Sequence, residues 1–252
     1  STLSSSSAAS DVYKRQSISG ACGRMGQRII HFALADKDVK ITSLLECPGH
    51  PKAGEKVSGI SVSTSPDALQ GSGCLIEFTS PEATMTNLKA CVAHKVKMVI
   101  GTTGISPGQA QEIEKASKVI PIVFSSNMSV GVNVFFKVTE LLAKTLPASY
   151  VVNITEAHHV HKKDAPSGTA KTLASIIEKA SGRKVADIKS IREGEIVGDH
   201  KIVFESGEDV ITIDHHAKSR DIFARGALVA AKFLAGKQTG LFTMQQVLGL
   251  GN

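Results

Sequence analysis

Residues 20–26 read GACGRMG, and the glycines Gly20, Gly23 and Gly26 are the key to the fold. Glycines at such spacing permit a tight turn and let the backbone come close to a phosphate. Downstream, Met25, Ile29, Ile30, Ala33 and Leu34 recur at helical spacing, and residues 39–45 then read as a strand. A glycine turn that opens a helix between two strands presents the free N–H groups of the helix start to an anion. The pattern is GxxGxxG, and an ordinary tight turn would contain the same glycines. Upstream the signal is poor. Residues 12–19, VYKRQSIS, offer only Val12, Tyr13 and Ile18 as clearly apolar, which makes the strand entering the turn the weakest in the chain.

The alternation continues after residue 45. Segments 74–78 (CLIEF), 98–101 (MVIG) and 120–124 read as buried strands, with helices predicted over 82–94 and 107–118. Strands alternating with helices of this length give a parallel sheet joined by right-handed crossovers. The fold class expected is α/β, with residues 17–128 forming a Rossmann-like dinucleotide-binding domain. From about residue 130 the rhythm changes: a helix over 130–146, a strand over 150–156 and a helix over 168–180. Two alternating segments follow, KIVFE at 201–205 and VITID at 210–214, joined by SGED, which is a hairpin signal. Residues 129–219 are therefore expected to form an α+β substrate domain with a mixed or antiparallel sheet. Residues 220–252, opening with an amphipathic helix over 221–235, are expected to return to the first domain.

The chain of 252 residues is long enough to bury two modest cores. Its 42% hydrophobic and 21% charged residues fit neither a disordered nor a fibrous protein. No apolar run reaches the roughly 20 residues of a membrane-spanning helix, so no membrane partner is expected. The net charge of +6 does not point to nucleic acid, because Lys and Arg are scattered and aromatic residues amount to 4%. Small anionic ligands account for it equally well. Cys22, Cys47, Cys74 and Cys91 form no CxxC pair and fit a reduced, cytoplasmic protein. Residues 1–16, STLSSSSAASDVYKRQ, are expected to be an extraneous or disordered leader, a foreign junction in preference to a transit-peptide remnant.

Glu46 ends the second predicted strand about 20 residues past the turn, where a carboxylate accepts hydrogen bonds from an adenosine ribose. Arg24 lies in the turn itself, placed either to meet phosphate or to solvate the helix start. GTTG at 101–104 and SSNMS at 125–129 follow strands, and ligands of parallel sheets bind beyond the carboxyl ends of strands. Both loops would frame a nicotinamide, although each also reads as an ordinary strand-to-helix turn.

Residues 156–169, EAHHVHKKDAPSGT, carry the chemistry. His158, His159, His161, Lys162, Lys163 and Asp164 crowd into seven positions, a density that a structural loop seldom needs. Pro166 fixes the entry, Ser167 is a good N-cap, and Gly168 and Thr169 begin a helix whose amides would hold a carboxylate. A plain helix cap has the same sequence. Lys162 adds a full positive charge, and His158 or His159 would donate a proton near neutral pH. A zinc site on His159 and His161 lacks a separate motif to complete the ligand set, so no metal is expected.

Taken in order from Gly20 almost to the C-terminus, GACGRMG, FTSPEAT, GTTG, SSNMSVGVN, EAHHVHKKDAPSGTA, IREG and GLFTMQQVL resemble the 4-hydroxy-tetrahydrodipicolinate reductase (dihydrodipicolinate reductase) family. The resemblance implies reduction of a small dicarboxylate, 4-hydroxy-tetrahydrodipicolinate, by NADH or NADPH with loss of water, in the diaminopimelate route to lysine. It also implies a homotetramer assembled through the second domains. Carried over residue by residue, it makes His158 and Lys162 catalytic proton donors and His159, Ser167, Gly168 and Thr169 substrate ligands. Gly20, Ala21, Cys22, Gly23, Arg24, Met25, Glu46, Gly101, Thr102, Thr103, Ser125, Ser126, Asn127 and Met128 would bind the cofactor. Two positions depart from the family pattern: Cys47 stands where many relatives carry an Arg for NADPH, and Met128 where Phe is commoner. A reductase for another small carboxylate and a catalytically inactive nucleotide-binding or redox-sensing protein are the rival readings. The intact 156–169 stretch speaks against both.

Overall fold

The computed structural model describes residues 14–251. The chain runs β1 (Arg15–Ser19), α1 (Arg24–Ala35), β2 (Lys40–Leu45), β3 (Lys56–Val57), β4 (Ile60–Ser63), β5 (Cys74–Glu77), α2 (Pro81–His94), β6 (Lys97–Ile100), α3 (Pro107–Ser117) and β7 (Pro121–Phe124). It continues through α4 (Val130–Thr145), β8 (Val151–His158), α5 (Gly168–Ser181), β9 (Asp187–Arg192), β10 (Asp199–Glu205) and β11 (Val210–His216). It then passes through α6 (Asp221–Phe233), β12 (Gly240–Phe242) and α7 (Met244–Val247). Two compact units result, one of residues up to Met128 and from Phe223 onward, the other Ser129–Ile222. No helix among the described residues is long and apolar enough to cross a membrane.

The first unit holds a sheet in the order β12-β7-β6-β5-β1-β2-β4-β3, parallel throughout except where β3 meets β4. Strand alternation sends Ile18, Ile76 and Val99 into one layer with Ile29 of α1 and Ala227 of α6. Leu75, Met98 and Ile122 enter the other with Leu88 of α2 and Ile113 of α3. Helices on both faces are what a parallel sheet requires, since its strands are buried on both sides.

β1 forms in the middle of this sheet, between β5 and β2. Its low apolar content is offset by hydroxyls: Ser17 is fully buried, and its Oγ lies 2.6 Å from both Ser43 Oγ and Ser72 Oγ. Polar side chains that bond one another can be buried at little cost, whereas unpaired ones cannot. The leader expected over residues 1–16 is accordingly too long at its end. Arg15 and Gln16 are strand residues, and the Lys14 carbonyl accepts from the Lys40 amide at 2.8 Å. Val12 and Tyr13 lie outside the described residues. At the far end the return to the first unit begins at Phe223, two residues into α6, and not at residue 220. Lys97 Nζ fastens that return by donating to the carbonyls of Leu234 and Ala235 at 2.6 Å and of Lys237 at 3.1 Å.

The second unit holds a mixed sheet in the order β11-β10-β8-β9, antiparallel apart from the β8–β9 pair. α4 and α5 supply Phe136 and Leu173 to a core with Val152, Ile154, Ile202 and Phe204. β8 alternates buried and partly exposed residues with period two, which carries Glu156 and His158 inward on the same face as Val152 and Ile154. β9, polar enough to give no strand signal in the sequence, pairs with β8 so that Arg192 stands opposite His158.

Candidate active site

Glu156 is the centre of the buried polar group in the second unit. It is fully buried, and Arg192 grips it with both terminal nitrogens, Nη1 to Oε2 at 3.0 Å and Nη2 to Oε1 at 2.9 Å. His158 Nδ1 lies 2.5 Å from Oε2, and the Ser167 amide donates to Oε1 at 3.2 Å. Burial alone would raise the Glu156 carboxyl, but hydrogen bonds from Arg192, Ser190 and His158 outweigh it and hold the group at about 2. His158 is 8% exposed. Burial lowers its pKa, Glu156 pulls the other way, and the charges of Lys162 and Arg192 reinforce the lowering.

Eleven residues beyond Glu156, Ser167 caps α5, its Oγ accepting from the Ala170 amide at 3.1 Å. That hydroxyl also lies 3.2 Å from His200 Nε2. Thr169 is buried in the first turn, and a Cβ at Gly168 would meet no protein atom within 4 Å. The glycine therefore leaves backbone bare without relieving any clash, as an amide cradle for an anion would require. Lys162 Nζ pairs with Asp164 Oδ1 at 2.8 Å. His159 is buried, its amide bonded to the Ile196 carbonyl at 2.7 Å, while His161 is exposed and 3.8 Å from Glu195 Oε1.

Sequence reading gave no role to Glu156, Arg192 or His200. His200 is 3% exposed, and its ring meets that of His158 edge to face at 5.2 Å. Burial, followed by the nearby His158 charge, pulls its pKa down to about 3, so it stays neutral. The signal that would have found it is its phase: it alternates with Ile202 and Phe204 on the buried face of β10.

In the first unit, the predicted cofactor residues sit on loops at the carboxyl ends of β1, β2, β6 and β7, except Arg24 and Met25, which open α1. Gly20 has φ +73°, and a Cβ there would come within 2.4 Å of the Phe78 carbonyl. A Cβ at Gly26 would stand 2.1 Å from the Gly20 carbonyl, so the turn admits no side chain at either position. The amides of Gly20 and Ala21 pin it to the Leu45 carbonyl at 3.0 and 3.2 Å. α1 starts at Gly23 with no side-chain cap, followed by exposed Arg24 and half-buried Met25. A helix start without its own cap, reached by a bare glycine turn, fits a pyrophosphate.

Glu46 follows β2 and turns back to this loop, Oε1 accepting from the Cys22 amide at 2.7 Å and Oε2 from the Cys47 amide at 3.4 Å. Donor atoms of Cys22, Glu46 and His50 lie within 4.8 Å of one another. His50 Nδ1 accepts from the Lys52 amide at 3.1 Å. A Cβ at Gly101 would come within 2.2 Å of the Phe78 ring, which would have to shift to admit it. Thr102 is buried, its Oγ1 accepting from the Thr79 amide at 3.1 Å, and Thr103 is exposed. Ser125 Oγ donates to the Asn127 carbonyl at 2.9 Å, and Ser126 is exposed. Met128 is only 2% exposed and packs among the core residues of this unit.

A parallel sheet with a bare glycine turn and a strand-end carboxylate, joined in one chain to a buried His–Glu–Arg group beside a capped helix start, is an arrangement that suits a nicotinamide-dependent oxidoreductase. The family model described as dihydrodipicolinate reductase, N-terminus, matches residues 15–128, and that described as dihydrodipicolinate reductase, C-terminus, matches residues 131–248. The chain belongs to the dihydrodipicolinate reductase family. It is 41% identical over 260 aligned positions to the 4-hydroxy-tetrahydrodipicolinate reductase of Nitrosomonas eutropha, covering 92% of this chain and 97% of that one. The corresponding protein of Paraburkholderia phymatum is 42% identical, with 92% and 98% covered. Among solved structures, the fold is similar to that of a dipicolinate-bound dihydrodipicolinate reductase from Paenisporosarcina sp. TG-14, at a TM-score of 0.76 and 22% identity over 92% of this chain and 98% of that one. An amine dehydrogenase from Mycobacterium smegmatis shares the fold at a TM-score of 0.65 and 13% identity, with 91% and 94% covered.

Proposed function

We propose that this chain reduces 4-hydroxy-tetrahydrodipicolinate to tetrahydrodipicolinate, with the second unit holding the dicarboxylate. The observation that carries the reading is the pairing of a buried histidine with an ionised carboxylate next to a capped helix start. One substrate carboxylate lies against the amides of Gly168 and Thr169 and the Ser167 hydroxyl, with His159 beside it, and Lys162 supplies the opposing charge. Bound NADH or NADPH supplies a hydride. His158 and Lys162 deliver the accompanying proton, so that one hydride and one proton enter the ring and one water leaves it.

The cofactor residues are the glycine turn of residues 20–25, Glu46, residues 101–103 and residues 125–128. The substrate units assemble the chain into a homotetramer, a reading supported by the partly open outer face of their sheet, where Val151 and Val210 are exposed. A cytoplasmic enzyme is supported by four cysteines that are all free thiols.

The test supplies the hydroxylated precursor, generated in situ from pyruvate and aspartate semialdehyde, and follows nicotinamide absorbance. Oxidation of NADH or NADPH is expected, and none with either would end the proposal. His158→Ala and Lys162→Ala are expected to lower turnover at least about 100-fold, the range of a positioned proton donor. Near-normal rates in both would remove their roles.

A further inference from the structure

We propose that Glu156 is a positioning residue for the reductive step: through one carboxylate it fixes the proton-donating His158 and, by the Ser167 amide, the residue that opens the anion cradle. This rests on the reading of His158 as proton donor.

The geometry allows little else. Oε2 faces His158 Nδ1 at 2.5 Å, and Oε1 receives the Ser167 amide at 3.2 Å. The bidentate grip of Arg192 keeps both oxygens acceptors, and an acceptor can bond Nδ1 only if Nδ1 carries its hydrogen. His158 Nε2 is thereby left as the nitrogen that gives up a proton and takes a new one. After transfer the ring is neutral, still bonded through Nδ1–H, and Glu156 remains a carboxylate. Gly198 lies against the working nitrogen, since a Cβ there would stand 3.1 Å from Nε2. That keeps its approach free of side-chain bulk.

The charged and titratable groups around His158 are Glu156 on its own strand, Arg192 of β9, His200 of β10, and Lys162 and Asp164 of the following loop. Three are cations or a second histidine, so removing the Glu156 charge leaves His158 with weaker support for its protonated form. The sign follows: without Glu156, His158 loses its proton at lower pH.

Glu156→Gln is therefore expected to lower kcat at least about tenfold and to move the alkaline fall of kcat toward acid pH, while Glu156→Asp recovers part of both. A structural role alone would lower Tm and leave the pH profile of the remaining activity in place, and that outcome overturns the proposal. A variant that fails to fold does not block the test. Nitrogen-15 NMR of the unaltered protein reads the His158 tautomer directly, with Nδ1–H expected, and a bare Nδ1 in the neutral ring would overturn the proposal as well. Failure here is distinct from failure of the functional reading. If His158→Ala is nearly normal, the donor role falls; if it is impaired while Glu156→Gln keeps rate and pH profile, only the positioning role falls.

Discussion

On the proposed function, Glu46 is expected to set the choice between cofactors by charge. Its carboxylate faces the glycine turn, held by the amides of Cys22 and Cys47, and Cys47 brings no cation to meet a 2′-phosphate. NADH is expected to be used at least as well as NADPH, and Glu46→Gln to improve use of NADPH. Steady-state constants strongly favouring NADPH would shift attention to Arg24 or Lys52. His200 and Glu156 carry a different consequence, for stability in acid. The ordinary histidine pKa of 6.5 falls to about 3 for His200 in the folded chain, so between those values the unfolded chain binds a proton that the folded one does not. Stability of the second unit should thus decline as pH drops from 6.5 toward 3. Glu156, ordinarily 4.5 and here about 2, adds to the decline below 4.5. Calorimetric Tm values are expected to fall along this course, and His200→Gln to flatten the upper part of it. An unchanged slope in that variant would count against the buried neutral histidine.

β1 shows what a strand can be made of when its neighbours cooperate. Only Ile18 of its five residues is strongly apolar, and its place in the middle of the sheet depends on Ser17 meeting Ser43 and Ser72 across its neighbours. Ser17→Ala leaves those hydroxyls with fewer partners in a dry layer, and a loss of about 1–3 kcal/mol in urea unfolding is expected. A loss within experimental error would mean that the hydroxyls pair equally well without it. This is also why the strand was faint in the sequence: hydroxyl pairing between residues 26 and 55 positions apart has no local signature. β5, β6 and β7 were legible because full burial makes them continuous apolar runs, and α5 because Ser167 and Gly168 announce its start. β3, β4, β9 and β12 were not, being short or polar and held by pairing alone. The same limit applied to the site. The crowded residues 156–164 were visible as a string, but Arg192 and His200 reach Glu156 and Ser167 only through sheet pairing.

Over the whole molecule, α4 and α5 pack on one face of the mixed sheet, and Asn153, Val203 and Thr212 run along the middle of the other. Light scattering is expected to give four times the 26.5 kDa chain mass, and Val203→Arg to give smaller species. A monomer without any substitution would remove the tetramer. The path of the chain matters in another way. The first unit is interrupted after Met128 and resumes at Phe223, and its resumed part supplies α6 to one core layer, β12 to the sheet edge and the carbonyls that Lys97 clasps. On the ribosome, the inserted unit emerges complete while its host still lacks an edge strand and part of its core. The unit begun before the other is thus finished after it, and until residue 242 has been made the outer side of β7 stands open to any other strand that would pair with it.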